Sequence, residues 1–151
     1  MGAITHHRGW AAAVAARAAE YRGLGVDLEV LRHPSPALLR RILRPGEREA
    51  LEGLPERERA LRFTLVFSAK ESLYKALNPH TGVFLGFQDA EILAPEKIPL
   101  PESDTDAAGS GRLQWRLSVT GGEGFPPGYT GEGCYHVEGD GLLTGVWVGR
   151  G

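Results

Sequence analysis

Cysteine is almost absent from this chain: Cys134 is the single one in 151 residues. That excludes an intrachain disulfide and a cysteine-rich zinc site, and it fits a reducing, cytoplasmic setting. Cys134 stands between Gly133 and Tyr135 with no base beside it, so it reads as a buried or indifferent thiol and not a nucleophile. Long apolar runs are missing as well. No stretch approaches the roughly 20 apolar residues of a spanning helix, and Met1 to Arg8 carries no apolar core of signal-peptide length, which removes membrane and export readings. An excess of positive charge is also lacking. The formal net charge is -2 and the pI near 6.2, so no global basic field points to nucleic acid, and attraction to an anionic partner must come from a local patch. No repeat and no heptad pattern is present.

What is present is the composition of a folded domain, with 42% hydrophobic and 24% charged residues. A chain of this length buries about two-thirds of its unfolded surface, and one core is expected. The first 30 residues read as β structure in three pieces, Ala3 to Thr5, Trp10 to Ala16 and Leu24 to Val30, although the alanine run Ala11–Ala16 has high intrinsic helix propensity. From Pro36 the period becomes helical: Leu38, Leu39, Ile42 and Leu43 recur beside Arg40, Arg41 and Arg44. Pro45-Gly46 is expected to break that helix, Glu47 to Leu54 to form a second short one, and Pro55 to open a long helix from about Glu56 to Leu77, ending before Asn78-Pro79. Short strands are expected at Gln88–Leu93, Arg112–Val119, Cys134–Val137 and Leu142–Val148, with loops at residues 101–111 and 121–133. The sum is an α+β fold.

Two sets of polar residues interrupt these apolar patterns. Asp27 and Glu29 are two apart, and in a strand that spacing puts both on one face, where two carboxylates repel and invite a hard divalent cation. A solvated strand face would show the same spacing. In the long helix Glu71 and Lys75 are four apart on one face and Lys70 lies adjacent; an exposed ion pair worth a few tenths of a kcal/mol would look alike.

The combination is more specific than its parts. Gly25-Val-Asp-Leu-Glu29, followed about 40 residues later by Phe67-Ser-Ala-Lys-Glu71 and then Lys75, resembles the two signatures of the 4′-phosphopantetheinyl transferase superfamily. The details around Asn78 to Gly82 and Phe87 to Glu91 are similar to its enterobactin-synthetase-type branch. Gly2 to Trp10 resembles the family's histidine segment and Leu143 to Trp147 its last strand, so the likeness extends over nearly the whole chain.

The resemblance implies an antiparallel sheet packed with one long and two short helices. It implies transfer of 4′-phosphopantetheine from coenzyme A to a serine of an acyl or peptidyl carrier protein, with release of 3′,5′-ADP. Carried over by position, Asp27, Glu29 and Glu71 would hold Mg²⁺, three carboxylates leaving room for pyrophosphate and water. His6 would contact phosphate, and not His7, its neighbour on the opposite side of the strand. Lys75 would stabilise or protonate the leaving group, Lys70 would contact phosphate, and Glu71 or a metal-bound water would act as the base at the serine. His33, His80 and His136 are expected at the surface.

Carrier proteins of this kind are acidic, which provides a task for Arg40, Arg41, Arg44 and Arg48; a solvated helix face is the alternative. The whole of 1–151 is expected to form one transferase domain, with 1–22 the end of an N-terminal subdomain and 23–151 the C-terminal one. Most of the family's first half is then expected to be missing. Three readings follow: a longer functional protein, self-association of the short chain, or a remnant that binds a carrier protein without turnover. Magnesium nucleases also gather acidic residues, but with a lysine two positions after a glutamate. Here Glu29 is followed at that distance by Leu31, and Glu71 by Leu73.

Overall fold

The computed structural model describes residues 1–98 and 108–150, and strand pairing decides its first two elements. Strands β1 (Gly2–His7) and β2 (Trp10–Ala15) form an antiparallel hairpin, with Ile4 opposite Ala13 and His7 opposite Trp10. The alanine run is a strand despite its helix propensity, because β1 pairs along all of it and the hairpin lies against β3 (Tyr21–Val30). Buried Thr5 fixes that contact by accepting a hydrogen bond from the Leu28 N–H at 3.3 Å.

β3 is the edge of a five-stranded antiparallel sheet in the order β3-β7-β6-β5-β4, with β4 at Ala90–Leu93, β5 at Ala108–Leu117, β6 at Thr130–Glu138 and β7 at Gly141–Gly149. Helix α3 (Glu56–Thr81) lies across β3 and β7. Leu61, Leu65, Leu73 and Leu77 of the helix share one core with Trp115, Val137, Leu142 and Val146 of the sheet. The helix backbone approaches the strand directly. A Cβ on Gly25 would collide with the Ser72 carbonyl oxygen, and one on Gly23 with that of Ala76.

Several boundaries differ from the sequence reading, each for a local reason. The long helix runs through Pro79 to Thr81 and stops at Gly82, whose φ of 65° places it in the left-handed region, with its N–H donating to the Asn78 carbonyl at 2.8 Å. A proline in the last turn removes a single amide donor, and the Leu77 carbonyl gains the Thr81 hydroxyl at 3.1 Å. Pro45 opens α2 (Pro45–Glu49) instead of merely separating two helices, and 50–53 are turns. α1 (Pro36–Ile42) starts as expected, the Ser35 hydroxyl accepting from the Leu38 N–H at 3.2 Å. A 3-10 turn, Phe87–Asp89, stands where a strand was expected to begin.

β5 and β6 are longer than expected because their glycines are not breakers. Gly111 lies opposite Tyr135 and Gly131 opposite Trp115, and each leaves the space that the partner's ring fills. Of the loop expected at 101–111, residues 101–107 lie outside the described residues. Among the described residues no helix is long and apolar enough to cross a membrane.

Candidate carboxylate–lysine site

Where α3 crosses β3 and β7, the apolar interface gives way to a polar layer. Asp27, buried on β3, accepts from the Lys75 ammonium at 2.8 Å on Oδ1 and from the Ser68 hydroxyl at 2.9 Å on Oδ2. Ser68 and Ser72 each share a 2.8 Å hydrogen bond with the Thr144 hydroxyl on β7. Lys75 also donates to the Val26 carbonyl at 3.1 Å, and its side chain stays 34% exposed. No buried side-chain donor or acceptor among the described residues is left without a partner. Asp27 is thus held rigidly by the helix it faces.

The strand spacing has the predicted effect on Glu29. Burial pushes its carboxyl up to about 6 from an ordinary 4.5, the charges of Asp27 and Glu71 push the same way, and Arg32 and Lys75 pull it down. Glu71 is also raised, by burial first and then by Asp27, against the pull of Lys75. Three carboxylates from two elements therefore sense one another, and the nearby cations do not cancel them. Glu29 Oε2 lies 3.5 Å from the Arg32 guanidinium and 3.9 Å from His7 Nδ1.

Among the described residues no three acidic, histidine or cysteine side chains stand in ready metal-ligand geometry. The donor chemistry nonetheless fits a hard divalent ion: the oxygens are carboxylates, and the burden they share is unneutralised negative charge. Lys75, partly exposed, occupies the Asp27 oxygen that such an ion would take.

Two expectations about this site are corrected. Lys70 does not face it. Its buried ammonium donates to Glu47 at 2.7 Å, to the Ile42 carbonyl at 2.9 Å and to the Phe87 carbonyl at 2.7 Å, so all three protons are committed and none is left for phosphate. Glu47 in turn accepts from the Arg44 N–H at 2.7 Å and the Ile92 N–H at 2.8 Å. Burial holds the Lys70 amine below the usual lysine value, with Glu47 opposing that shift. The second correction concerns the histidines. They do face opposite ways, but His7 is the one beside the carboxylates, while His6 is exposed on the outer side of β1.

Of the basic residues, Arg40 and Arg41 are exposed, whereas Arg44 reaches the Gln88 carbonyl and Arg48 the Leu43 carbonyl. His33 and His80 are exposed, and His136 is half-buried on β6 against the Ser110 hydroxyl at 2.7 Å. Cys134 is exposed, and partial burial of its sulfur raises the thiol, which keeps it unreactive. A cavity of about 190 Å³ opens beside Glu71, lined by Tyr74, Phe84, Leu85 and Phe87, and Phe84 projects into solvent.

Ser68, Thr144 and Arg32 were not singled out from the sequence, and His7 was set aside in favour of His6. A signal for Ser68 was available: Ser68, Glu71, Ser72 and Lys75 recur at three- and four-residue steps along one face of the helix, which predicts a polar counterpart on the strands beneath.

Residues 23–129 match the family model described as the 4′-phosphopantetheinyl transferase superfamily. The chain is 41% identical over 93 residues to the 4′-phosphopantetheinyl transferase Svp of Streptomyces mobaraensis, covering 61% of this chain and 38% of that one. It is 30% identical to the transferase Npt of Nocardia iowensis, covering 97% and 64%, and 33% identical to PptT of Mycobacterium tuberculosis, covering 97% and 61%. The chain thus spans between 38% and 64% of the length of these relatives. A holo-(acyl-carrier-protein) synthase from Bacillus anthracis, solved in complex with CoA (3′,5′-ADP), shares the fold at a TM-score of 0.52 and 21% identity, with 88% of this chain and all of that one covered.

Proposed function

The chain belongs to the 4′-phosphopantetheinyl transferase superfamily, and from that premise we propose that it transfers 4′-phosphopantetheine from coenzyme A to a serine of an acyl or peptidyl carrier protein. The observation that carries this reading is the placement of Lys75 on Asp27 between Glu29 and Glu71, two carboxylates held above their ordinary range. Asp27, Glu29 and Glu71 would hold Mg²⁺. Once bound, the ion supplies positive charge against the pyrophosphate of coenzyme A and the charge that develops on it.

The carrier serine Oγ forms a bond to the β-phosphorus, and the bond from that phosphorus to the bridging oxygen breaks. Glu71 takes the serine proton. The electron pair of the broken bond leaves on 3′,5′-ADP, and Lys75 stabilises that charge from its half-exposed position. The cavity beside Glu71 receives the serine-bearing segment, with Phe84 at its rim, and Arg40 and Arg41 attract the acidic partner. Such chemistry belongs to the cytoplasm. Under this reading 1–22 closes an N-terminal subdomain and 23–151 forms the C-terminal one.

Intact-mass spectrometry of an acyl carrier protein incubated with the chain, coenzyme A and Mg²⁺ tests this. The expected result is a gain of one phosphopantetheine, abolished by chelation and reduced at least about a thousandfold in Glu71→Gln and Asp27→Asn with the fold retained. Undiminished transfer in either variant would remove that residue from the mechanism. No transfer by the chain, at any concentration that allows self-association, would favour carrier binding without turnover.

A further inference from the structure

We infer that the buried hydroxyls of Ser72, Thr144 and Ser68 form a one-way hydrogen-bond relay ending on Asp27 Oδ2, and that this relay makes the site select Mg²⁺ over Ca²⁺ by leaving Asp27 a single oxygen to offer. The inference rests on the metal-site reading above. The direction of the relay follows from proton counting. Asp27, paired with the Lys75 ammonium at 2.8 Å, is a carboxylate and only accepts, so the one Ser68 hydroxyl proton goes to Oδ2 at 2.9 Å. Ser68 Oγ must then accept across its 2.8 Å contact with Thr144 Oγ1, which uses the Thr144 proton. Thr144 Oγ1 in turn accepts from Ser72 at 2.8 Å, the Thr144 carbonyl at 3.2 Å being the longer alternative for that proton. Thr144 is the turning point: it stands opposite Asp27 in the β3–β7 register and connects two hydroxyls about one turn apart on α3. All three hydroxyl residues are fully buried, so water does not compete for these positions and each bond polarises the next.

The two oxygens of Asp27 therefore differ. Oδ2 is held inside the helix–sheet interface by a hydroxyl whose other acceptor on Asp27, the carbonyl, is 3.5 Å away. Oδ1 faces the open cluster and is held by Lys75, whose side chain is 34% exposed and can withdraw to solvent. Ligand oxygens adjacent on Mg²⁺ stand about 3 Å apart, wider than the two oxygens of one carboxylate, so Mg²⁺ takes a carboxylate through one oxygen, whereas the larger Ca²⁺ readily takes both. A relay that withholds Oδ2 keeps the contact that Mg²⁺ makes and removes the one that Ca²⁺ gains by chelation.

The test is calorimetric titration of the whole chain with Mg²⁺ and with Ca²⁺, read as the ratio of the two affinities. In Ser68→Ala the ratio should move toward Ca²⁺ at least about tenfold, and at least about threefold in Thr144→Val, which keeps the side chain's shape but breaks the relay at its middle. Thr144→Ser, which restores the hydroxyl, should return the ratio to that of the unaltered chain. A purely structural role would weaken both ions together and leave the ratio unmoved. In the metal-free chain, nuclear magnetic resonance should show slowly exchanging hydroxyl protons on Ser68 and Thr144, with that of Ser68 coupled across the hydrogen bond to the Asp27 carboxyl carbon. A Ser68 proton directed at Thr144 overturns the relay, and a ratio unchanged in both Ser68→Ala and Thr144→Val overturns the selectivity, while either result leaves the carboxylate site standing. Absence of binding of either ion to the unaltered chain, or binding unaffected by Asp27→Asn, removes the metal site itself and the inference with it.

Discussion

Lys70 and Lys75 lie on one helix within one motif, and their surroundings differ chiefly in the balance of charge. Around Lys70 a single cation meets a single anion, Glu47, at 2.7 Å, and backbone carbonyls and amides take up every remaining donor and acceptor. That assembly joins the end of α1, the start of α2, the 3-10 turn before β4 and α3, and it has no vacancy for a ligand. Around Lys75 one ammonium faces Asp27 while Glu29 and Glu71 remain undercompensated, and the group keeps access to solvent. A closed, neutral buried pair stabilises the fold; an open cluster with surplus negative charge is a place where binding energy is available. Sequence type does not separate the two, since both are lysines beside a glutamate.

The strongest way to break this contrast is Lys70→Met. Leaving Glu47 charged and buried without its partner should cost about 3–5 kcal/mol in urea unfolding. Adding Glu47→Gln to that variant should recover much of the loss. A stable, partner-binding single variant would show that Lys70 is not a structural strut. Next in size is the response of thermal stability to Mg²⁺. Glu29 has a folded value of about 6 against an ordinary 4.5, so the fold favours its protonated form, and stability contributed by this group declines as pH rises from about 4.5 through 6 and stays low above. The loss is about 1–2 kcal/mol. Saturating Mg²⁺ should therefore stabilise the protein by about 2 kcal/mol at pH 7.5, read by calorimetry, and far less at pH 5 where Glu29 is protonated. An equal effect at both pH values would place the ion elsewhere. The smallest effect belongs to Lys75→Met, which should cost about 1–2 kcal/mol, less than Lys70→Met because Lys75 is partly solvated and buried Asp27 keeps the Ser68 hydroxyl. It should enlarge the Mg²⁺ shift, since the competing cation on Asp27 is gone; a reduced shift would mean that Lys75 assists the ion.

Much of this was legible in the sequence. The polar spacing of Asp27, Glu29, Glu71 and Lys75 identified the open cluster, and period identified α1, α3 and most strands. What was not legible depends on three-dimensional neighbours. Lys70 could be sorted from Lys75 only by finding Glu47 beneath it, a residue whose place in a short helix said nothing of burial. Alternation correctly separated His6 from His7 but could not say which face of β1 meets β3. Pro79 marks a helix end by local rules, yet tertiary support and Gly82 carry the helix one turn further. Gly111 and Gly131 look like turn residues until Tyr135 and Trp115 are set across from them.

The bare contact between α3 and β3 at Gly23 and Gly25 has a further implication. Asp27 and Glu29 ride on the strand, Glu71 and Lys75 on the helix, and the spacing between the two sets is gauged by main-chain atoms that have no rotamers to relax. A methyl group inserted there acts as a shim: it lifts one half of the cluster off the other without touching any charged side chain. The leading glycine of the Gly25-to-Glu29 signature is thereby a part of the site's dimensional tolerance, even though it has no chemistry of its own.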